Sequence, residues 1–188
     1  LQEIESTLLS KLSEQAAVIK PDVKHPLSVD WLNGRRTPFA NQNLKASLLD
    51  LNLASDTVLV FRAIVESTCF GARKIAECFI EQGVPVKGVI AMGGIPKKSP
   101  FIMQMMADIL KMPIKVHKSD QTCALGAAMF AAVVGNVYSN VEEAMQNMGH
   151  GFEKTYVPNE EVVSIYQERY ERYLAAGNVL ENNLYDVQ

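Results

Sequence analysis

Two short β-branched runs, each leading into a capped helical pattern, predict an α/β fold for this 188-residue chain. The runs are "VKGVIAM" (86–92) and "PIKVH" (113–117). The order helix, strand, helix, strand, helix over residues 57–134 predicts a parallel strand pair with a right-handed crossover. Hydrophobic residues make up 48% of the chain and charged residues 21%, an ordinary globular balance that supplies one sizeable core.

Residues Leu1 to Ile19 predict an amphipathic helix, with Ile4, Leu8, Leu12 and Ala16 on one face and Pro21 as its stop. "LSVDWLNG" predicts a short strand that turns at Asn33-Gly34, and "RRTPFANQN" an irregular polar loop. The next helix is expected from Thr57 to Gln82, capped by Ser55 or Asp56 and closed by Gly83. Its apolar stripe reads as Phe61, Ile64/Val65, Thr68/Cys69, Ala72, Ile75/Ala76 and Phe79.

"VKGVIAM" is then expected as a buried strand. Ser99 and Pro100 suit the cap and first position of a helix running to Lys111. After "PIKVH", Ser119 or Asp120 should cap an alanine-rich helix from Gln121 to about Val134. The remainder reads as two helices, Val141 to about Met148 and Glu160 to Ala176, the second ending at Gly177. Val163, Tyr166, Tyr170 and Tyr173/Leu174 share its apolar face.

A net charge of −3 offers no electrostatic footprint for nucleic acid or an anionic membrane. No run reaches the ~20 apolar residues of a membrane span. Cys69, Cys78 and Cys123 have no metal-ligand spacing. Cys69 and Cys78 fall inside the helical pattern as buried free thiols, which fits a reducing, cytoplasmic setting. The three histidines lie far apart, so no metal site is expected. The chain opens at Leu1, within a helical pattern, and is expected to be a piece of a longer protein.

One stretch carries a candidate site. "AMGGIPKKSP" joins a strand to a capped helix through two glycines, which permit positive φ and close approach of a ligand to the backbone. Such a junction lies at the carboxyl end of a parallel strand, where ligands bind in open α/β sheets. Lys97 and Lys98 add positive charge. The stretch has neither the GxxxxGK[ST] nor the GxGxxG pattern, and a plain strand-to-helix turn reads the same way. A second junction, "SDQTCALGAAMFAA" (119–132), follows the neighbouring strand, and its small residues allow close approach of a helix or a flat ring. The two junctions are expected to flank one cleft.

With both junctions in hand, the chain resembles the C-terminal ATP-binding domain of the FGGY carbohydrate kinases, of the actin-like, sugar-kinase ATPase (ribonuclease H-like) fold. The resemblance rests on Gly93, Gly94, Ser99, Gln104, Ala107, Asp108, Asp120 and Ala124 to Ala128. "GRRTP" (34–38) is similar to the family's G-E-R-x-P segment, with Arg35 in place of the acidic residue. Within the family, residues 30–54 are most similar to the ribulose-phosphorylating branch.

That resemblance implies ATP-dependent phosphorylation of L-ribulose at O5, with the sugar and Mg²⁺ held mainly by an N-terminal domain and an aspartate there as base. It implies that Gly93 and Gly94 lie against adenosine or the α-phosphate, with Lys98 and Ser99 near the adenine or ribose and Ala124 and Leu125 on the cleft wall. Gln104 is expected to brace its helix. Asp56, Asp108 and Asp120 are expected to be caps or surface residues. Arg35 and Arg36 read either as facing the rest of a longer protein or as a solvated loop. No D-x-G-T-x-S phosphate loop and no surroundings of a catalytic aspartate are found, so no catalytic residue is assigned.

The division implied is 1–28 as the end of an upstream part, 29–138 as the ATP-binding part and 139–188 as a helical tail. Two other readings stand beside it: another kinase of the family, acting on xylulose or glycerol, and a non-enzymatic interaction module. Missing upstream strands would leave a sheet edge open, so dimers between chains are expected.

Overall fold

The computed structural model describes residues 2–184, with side chains from 7 to 182. The first helix, α1 (Gln2–Val18), ends ahead of Pro21 as expected. Of its predicted face, Ala16 is fully buried, Leu12 half-buried and Leu8 exposed; the Ile4 side chain lies outside those described.

Strand β1 (Leu27–Val29) pairs antiparallel with β2 (Ser47–Leu49), Leu27 opposite Leu49. The sequence did not announce β2, because three residues are too few to show a period. All three residues of β1 are buried, Ser28 included, so its polar–apolar alternation carries no facing information. The turn at Gly34 is real. Gly34 has φ +72°, and a Cβ there would sit 2.5 Å from the Gln42 Cα.

Helix α2 (Thr57–Glu81) starts on Asp56, whose carboxylate accepts the Leu59 N–H at 2.8 Å. It closes over Gly83 at φ +80°, with the Val84 N–H bonded to the Phe79 carbonyl at 3.0 Å. Its buried stripe departs from the expected one. Arg62, Ala63, Glu66, Ser67, Cys69 and Phe70 face inward, whereas Ile64 and Phe79 are exposed. Two ionised side chains override apolar periodicity here because each meets a fixed partner inside the fold.

Strands β3 (Val89–Ala91) and β4 (Ile114–His117) form the predicted parallel pair, Val89 opposite Ile114. A third strand, β5 (Phe152–Tyr156), adds antiparallel to the far side of β4. It too was missed, since four of its five residues are exposed and it lacks an apolar period. β3 is therefore an edge strand and not the buried strand expected; Ile90 is 54% exposed. Helix α3 (Gly94–Lys98) and helix α4 (Pro100–Leu110) form the crossover. Helix α5 (Thr122–Val134) follows β4, and α6 (Val141–Met148) follows α5. The last helix, α7 (Glu160–Val179), passes through Gly177 and widens into a π-helical turn over Leu180–Leu184. Gly177 does not end the helix. It faces Trp31, whose ring would lie 3.1 Å from a Cβ at that position.

Helix α4 sits between two apolar clusters. Met105, Ile109 and Leu110 pack with β1, Trp31, Phe70 and the tyrosines of α7, while Met103 and Ala107 pack on Ile114, Val116 and Tyr156. Tyr166, Tyr170 and Tyr173 form the predicted inward face of α7. Arg169, between them, is 1% exposed. It pairs with Glu66 and donates to the carbonyls of Asp22, His25 and Pro26 at 2.7, 3.1 and 2.8 Å. Arg62 likewise reaches the Ala16 carbonyl and the Tyr166 hydroxyl. Arg62 thus ties the end of α1, and Arg169 the segment between α1 and β1, to the core. Cys69 is buried, Cys78 only half-buried and Cys123 exposed.

Helix α5 has no buried residue, although its sequence is apolar almost throughout. Phe130 is 62% and Val134 83% exposed. The helix packs against α6, but Ala124, Ala127 and Ala128 stay exposed.

Candidate nucleotide-binding site

The site is built where β3 and β4 end side by side. The Ala91–Gly93 turn leaves β3 with Gly93 at φ +94°, a conformation that suits glycine and strains other residues. Gly93 and Gly94 are exposed, and a Cβ added to either would meet nothing within 4 Å. The glycines thus present bare backbone to open space, which is the room a flat or phosphate-bearing ligand needs.

Helix α4 begins at Pro100, as the sequence predicts, and not at the glycines themselves. The five residues of α3 intervene, and Ser99 then caps α4, its hydroxyl accepting the Ile102 N–H at 3.4 Å. A cleft of about 700 Å³ opens beside this junction. It runs between α1 and the start of α4, lined by Leu9, Ser13, Ala17, Ile95, Lys98 and Ser99 among others. Lys98 and Ser99 are therefore in a cavity wall. The α1 residues were not recognised as site residues, although Leu9, Ser13 and Ala17 recur at helical spacing and could have been found as one face.

The second junction carries Ala124, exposed, and Leu125, half-buried, on the first turns of α5. Neither lines the cleft. The expected cap is absent: Gln121 occupies the cap position without a side-chain bond. Ser119 instead accepts the Gln121 N–H at 3.2 Å, and Asp120 pairs with Lys97. Lys97 also donates to the Lys118 carbonyl at 2.6 Å. This lysine links the two junctions, a role that its place in a charged pair does not announce in the sequence.

Gln104 braces as expected, its amide donating to Asp108 and to the Val157 carbonyl, both at 2.8 Å. Asp108 is not a surface residue or a cap. It is 5% exposed, accepts the Asn159 N–H at 2.8 Å, and burial pushes its carboxyl above the usual range against those two bonds. Asp56 is a cap, as expected. Arg35 lies over the Trp31 ring at 5.1 Å and is paired with Glu181, so it is not free; Arg36 is exposed. Among the described residues no group of three or more His, Cys, Asp or Glu could hold a metal, and no helix is long and apolar enough to cross a membrane.

The fold is shared with solved sugar kinases. The crystal structure of gluconate kinase from Lactobacillus acidophilus matches 92% of the chain and 35% of its own length, with TM-score 0.81 and 25% identity. That of a ligand-bound xylulose kinase from the same organism matches equally well. These are kinases of the actin-like ATPase fold. Among curated proteins, the ribulokinase of Vibrio parahaemolyticus is 48% identical over 180 residues, covering 96% of the chain and 32% of the relative. The ribulokinase of Geobacillus thermodenitrificans is 40% identical over 166 residues, covering 86% and 29%. The chain spans about a third of the length of the curated relatives it matches. The profile of the FGGY family of carbohydrate kinases, C-terminal domain, matches residues 2–134. Because that match runs from α1 through both strand-to-helix junctions to the end of α5, the chain belongs to the FGGY family of carbohydrate kinases, C-terminal domain.

Proposed function

We propose that the chain is the adenosine-facing part of an ATP-dependent sugar kinase whose substrate is L-ribulose, forming L-ribulose 5-phosphate in arabinose catabolism. The observation that carries the nucleotide role is the open glycine pair beside the Lys98–Ser99 cleft, at the carboxyl end of a parallel strand. Gly93 and Gly94 would take the adenosine or α-phosphate against their backbone. Lys98 and Ser99 would contact the adenine or ribose from the cleft wall, and Ala124 and Leu125, outside that cleft, would approach the ligand from the β4–α5 junction. ATP supplies the transferred phosphoryl group when bound. Mg²⁺ would be bound mainly through the upstream domain, as the resemblance to the family implies. The choice of L-ribulose rests on the identity to ribulokinases alone.

On this reading residues 1–28 end the upstream part, 29–138 form the ATP-binding part and 139–188 a helical tail. The general base and phosphate loop lie outside the chain, so it does not turn over sugar by itself in its cytoplasmic setting. The exposed face of α5 and the open edge of β3 are the faces on which the rest of a kinase packs. In its absence they pair chains into dimers.

Titrating ADP while following the Gly93 and Gly94 amides tests the nucleotide role. Saturable shifts at those amides are expected, and their absence at millimolar ADP would overturn it. Ribulose-dependent ADP release by the chain alone would overturn the claim that it lacks the chemical half of the site.

A further inference from the structure

Two adjacent lysines follow the glycine pair, and the fold treats them differently. Lys98 is exposed, on the wall of the cleft. Lys97 turns the other way. Its side chain is 23% exposed, and its ammonium group donates to the Lys118 carbonyl at 2.6 Å, pairs with Asp120 and lies 3.8 Å from Glu153. Those three partners come from two places. Lys118 and Asp120 are in the loop between β4 and α5, and Glu153 is in β5.

The connection is otherwise thin. The β4–α5 loop is held from its own side, by the Lys118 N–H on the Gly151 carbonyl at 3.2 Å and the Ser119 N–H on His117 Nδ1 at 3.0 Å. Neither bond reaches the glycine loop. A long, flexible ammonium stem with three donors can span that gap and satisfy a carbonyl and two carboxylates at once.

We infer that Lys97 is a positioning residue: it latches the glycine loop to the β4–α5 loop and so holds the glycine pair in place beside the nucleotide cleft, while its neighbour Lys98 is left free to meet the ligand. This rests on the nucleotide reading above for its consequence, but the latch itself is a property of the ligand-free chain. Asp120 acts as the latch's counter-charge, not as a helix cap. Since Asp120 is 77% exposed, the pair is partly solvated and its coupling is modest, about threefold to fivefold in an equilibrium constant.

The test uses the full chain with Lys97→Met, Lys97→Arg, Asp120→Asn and Lys98→Met. Amide hydrogen exchange without nucleotide reads the latch. Lys97→Met should speed exchange at both the Ser99 amide, which is bonded to the Ile95 carbonyl, and Lys118–Gln121 by about threefold to fivefold, with the melting temperature of the chain unchanged. Lys97→Arg should restore protection, and Asp120→Asn should reproduce part of the effect. ADP titration then reads the consequence: Lys97→Met should weaken binding by a similar factor and Lys97→Arg should not. Unchanged exchange at the β4–α5 loop in Lys97→Met would overturn the latch, as would an equal effect of Lys98→Met on that exchange without nucleotide. If the wild-type chain shows no ADP response, the nucleotide reading fails, and the exchange result alone decides the latch.

Discussion

Replacing Arg169 with methionine should destabilise this chain more than any surface change. Arg169 and Glu66 are 1% and 2% exposed at the side chain, so neither charge is solvated. Removing one partner of such a pair leaves the other uncompensated, at a cost of about 3–5 kcal/mol. A domain is typically stable by about 5–15 kcal/mol, so the loss is a large fraction of the total. At about 2–4 °C per kcal/mol for a chain of this size, melting should fall by about 6–20 °C. The three carbonyls of Asp22, His25 and Pro26 lose their donor as well, which frees the segment leading into β1. Urea unfolding followed by fluorescence of Trp31, the single tryptophan, reports on that same region.

The informative comparison is the double variant Glu66→Met with Arg169→Met. Both it and the single variant lack the donor to the carbonyls, so that loss cancels. The double variant also lacks the stranded carboxylate, and should recover at least about 1 kcal/mol. The single variant should further gain on the wild type as pH falls. Burial already raises the Glu66 carboxyl pKa, and without Arg169 it rises further, so protonation removes the buried charge. A single variant that loses less than about 1 kcal/mol, or a double variant no better than the single, would refute the claim that an unpaired buried charge governs this site.

Four further outcomes are expected. Asp30 is half-buried, accepts the Tyr173 hydroxyl at 2.8 Å, and has its carboxyl pKa raised by burial. The folded chain therefore favours its protonated form, so Asp30→Asn should raise the melting temperature at pH 7, and the gain should shrink as pH falls through the raised value. A gain that does not vary with pH would count against this. Gly93→Ala should cost about 1 kcal/mol in urea unfolding from backbone strain alone, because its Cβ meets open space; no loss would mean that the positive φ is not required. Ser99→Ala should cost about 1 kcal/mol through the lost cap of α4, and an unchanged unfolding midpoint would dismiss that bond. Phe130→Glu should reduce self-association in sedimentation, since Phe130 is 62% exposed on the bare face of α5; an unchanged profile would exclude that face from the dimer contact.

Much of the fold was legible in the sequence where the signal is local. Asp56 and Ser99 cap the helices they precede, and Gly83 closes the one it follows. The parallel pairing of β3 and β4 follows from a strand–helix–strand order. Gly93 was legible as a special position for the same reason, a backbone demand that only certain residues meet. The signal failed where partners are distant. Strands β2, half-buried, and β5, mostly exposed, are short and exist because a neighbour offers its edge. The inward turn of Arg62, Glu66 and Asp108 depends on Tyr166, Arg169 and Asn159, about 50 to 100 residues away.

Sequence by itself thus determined the α/β order, the helix ends and the glycine pair, because these depend on φ, on hydrogen-bond donors within a few residues, and on periodicity. Only the tertiary structure decided which lysine faces the cleft, that Asp120 pairs with Lys97 instead of capping α5, and that Gly177 lies inside a helix against Trp31. Each of those depends on where a second segment comes to rest, and an ammonium, a carboxylate or a missing Cβ takes its role from whatever then stands a few ångströms away.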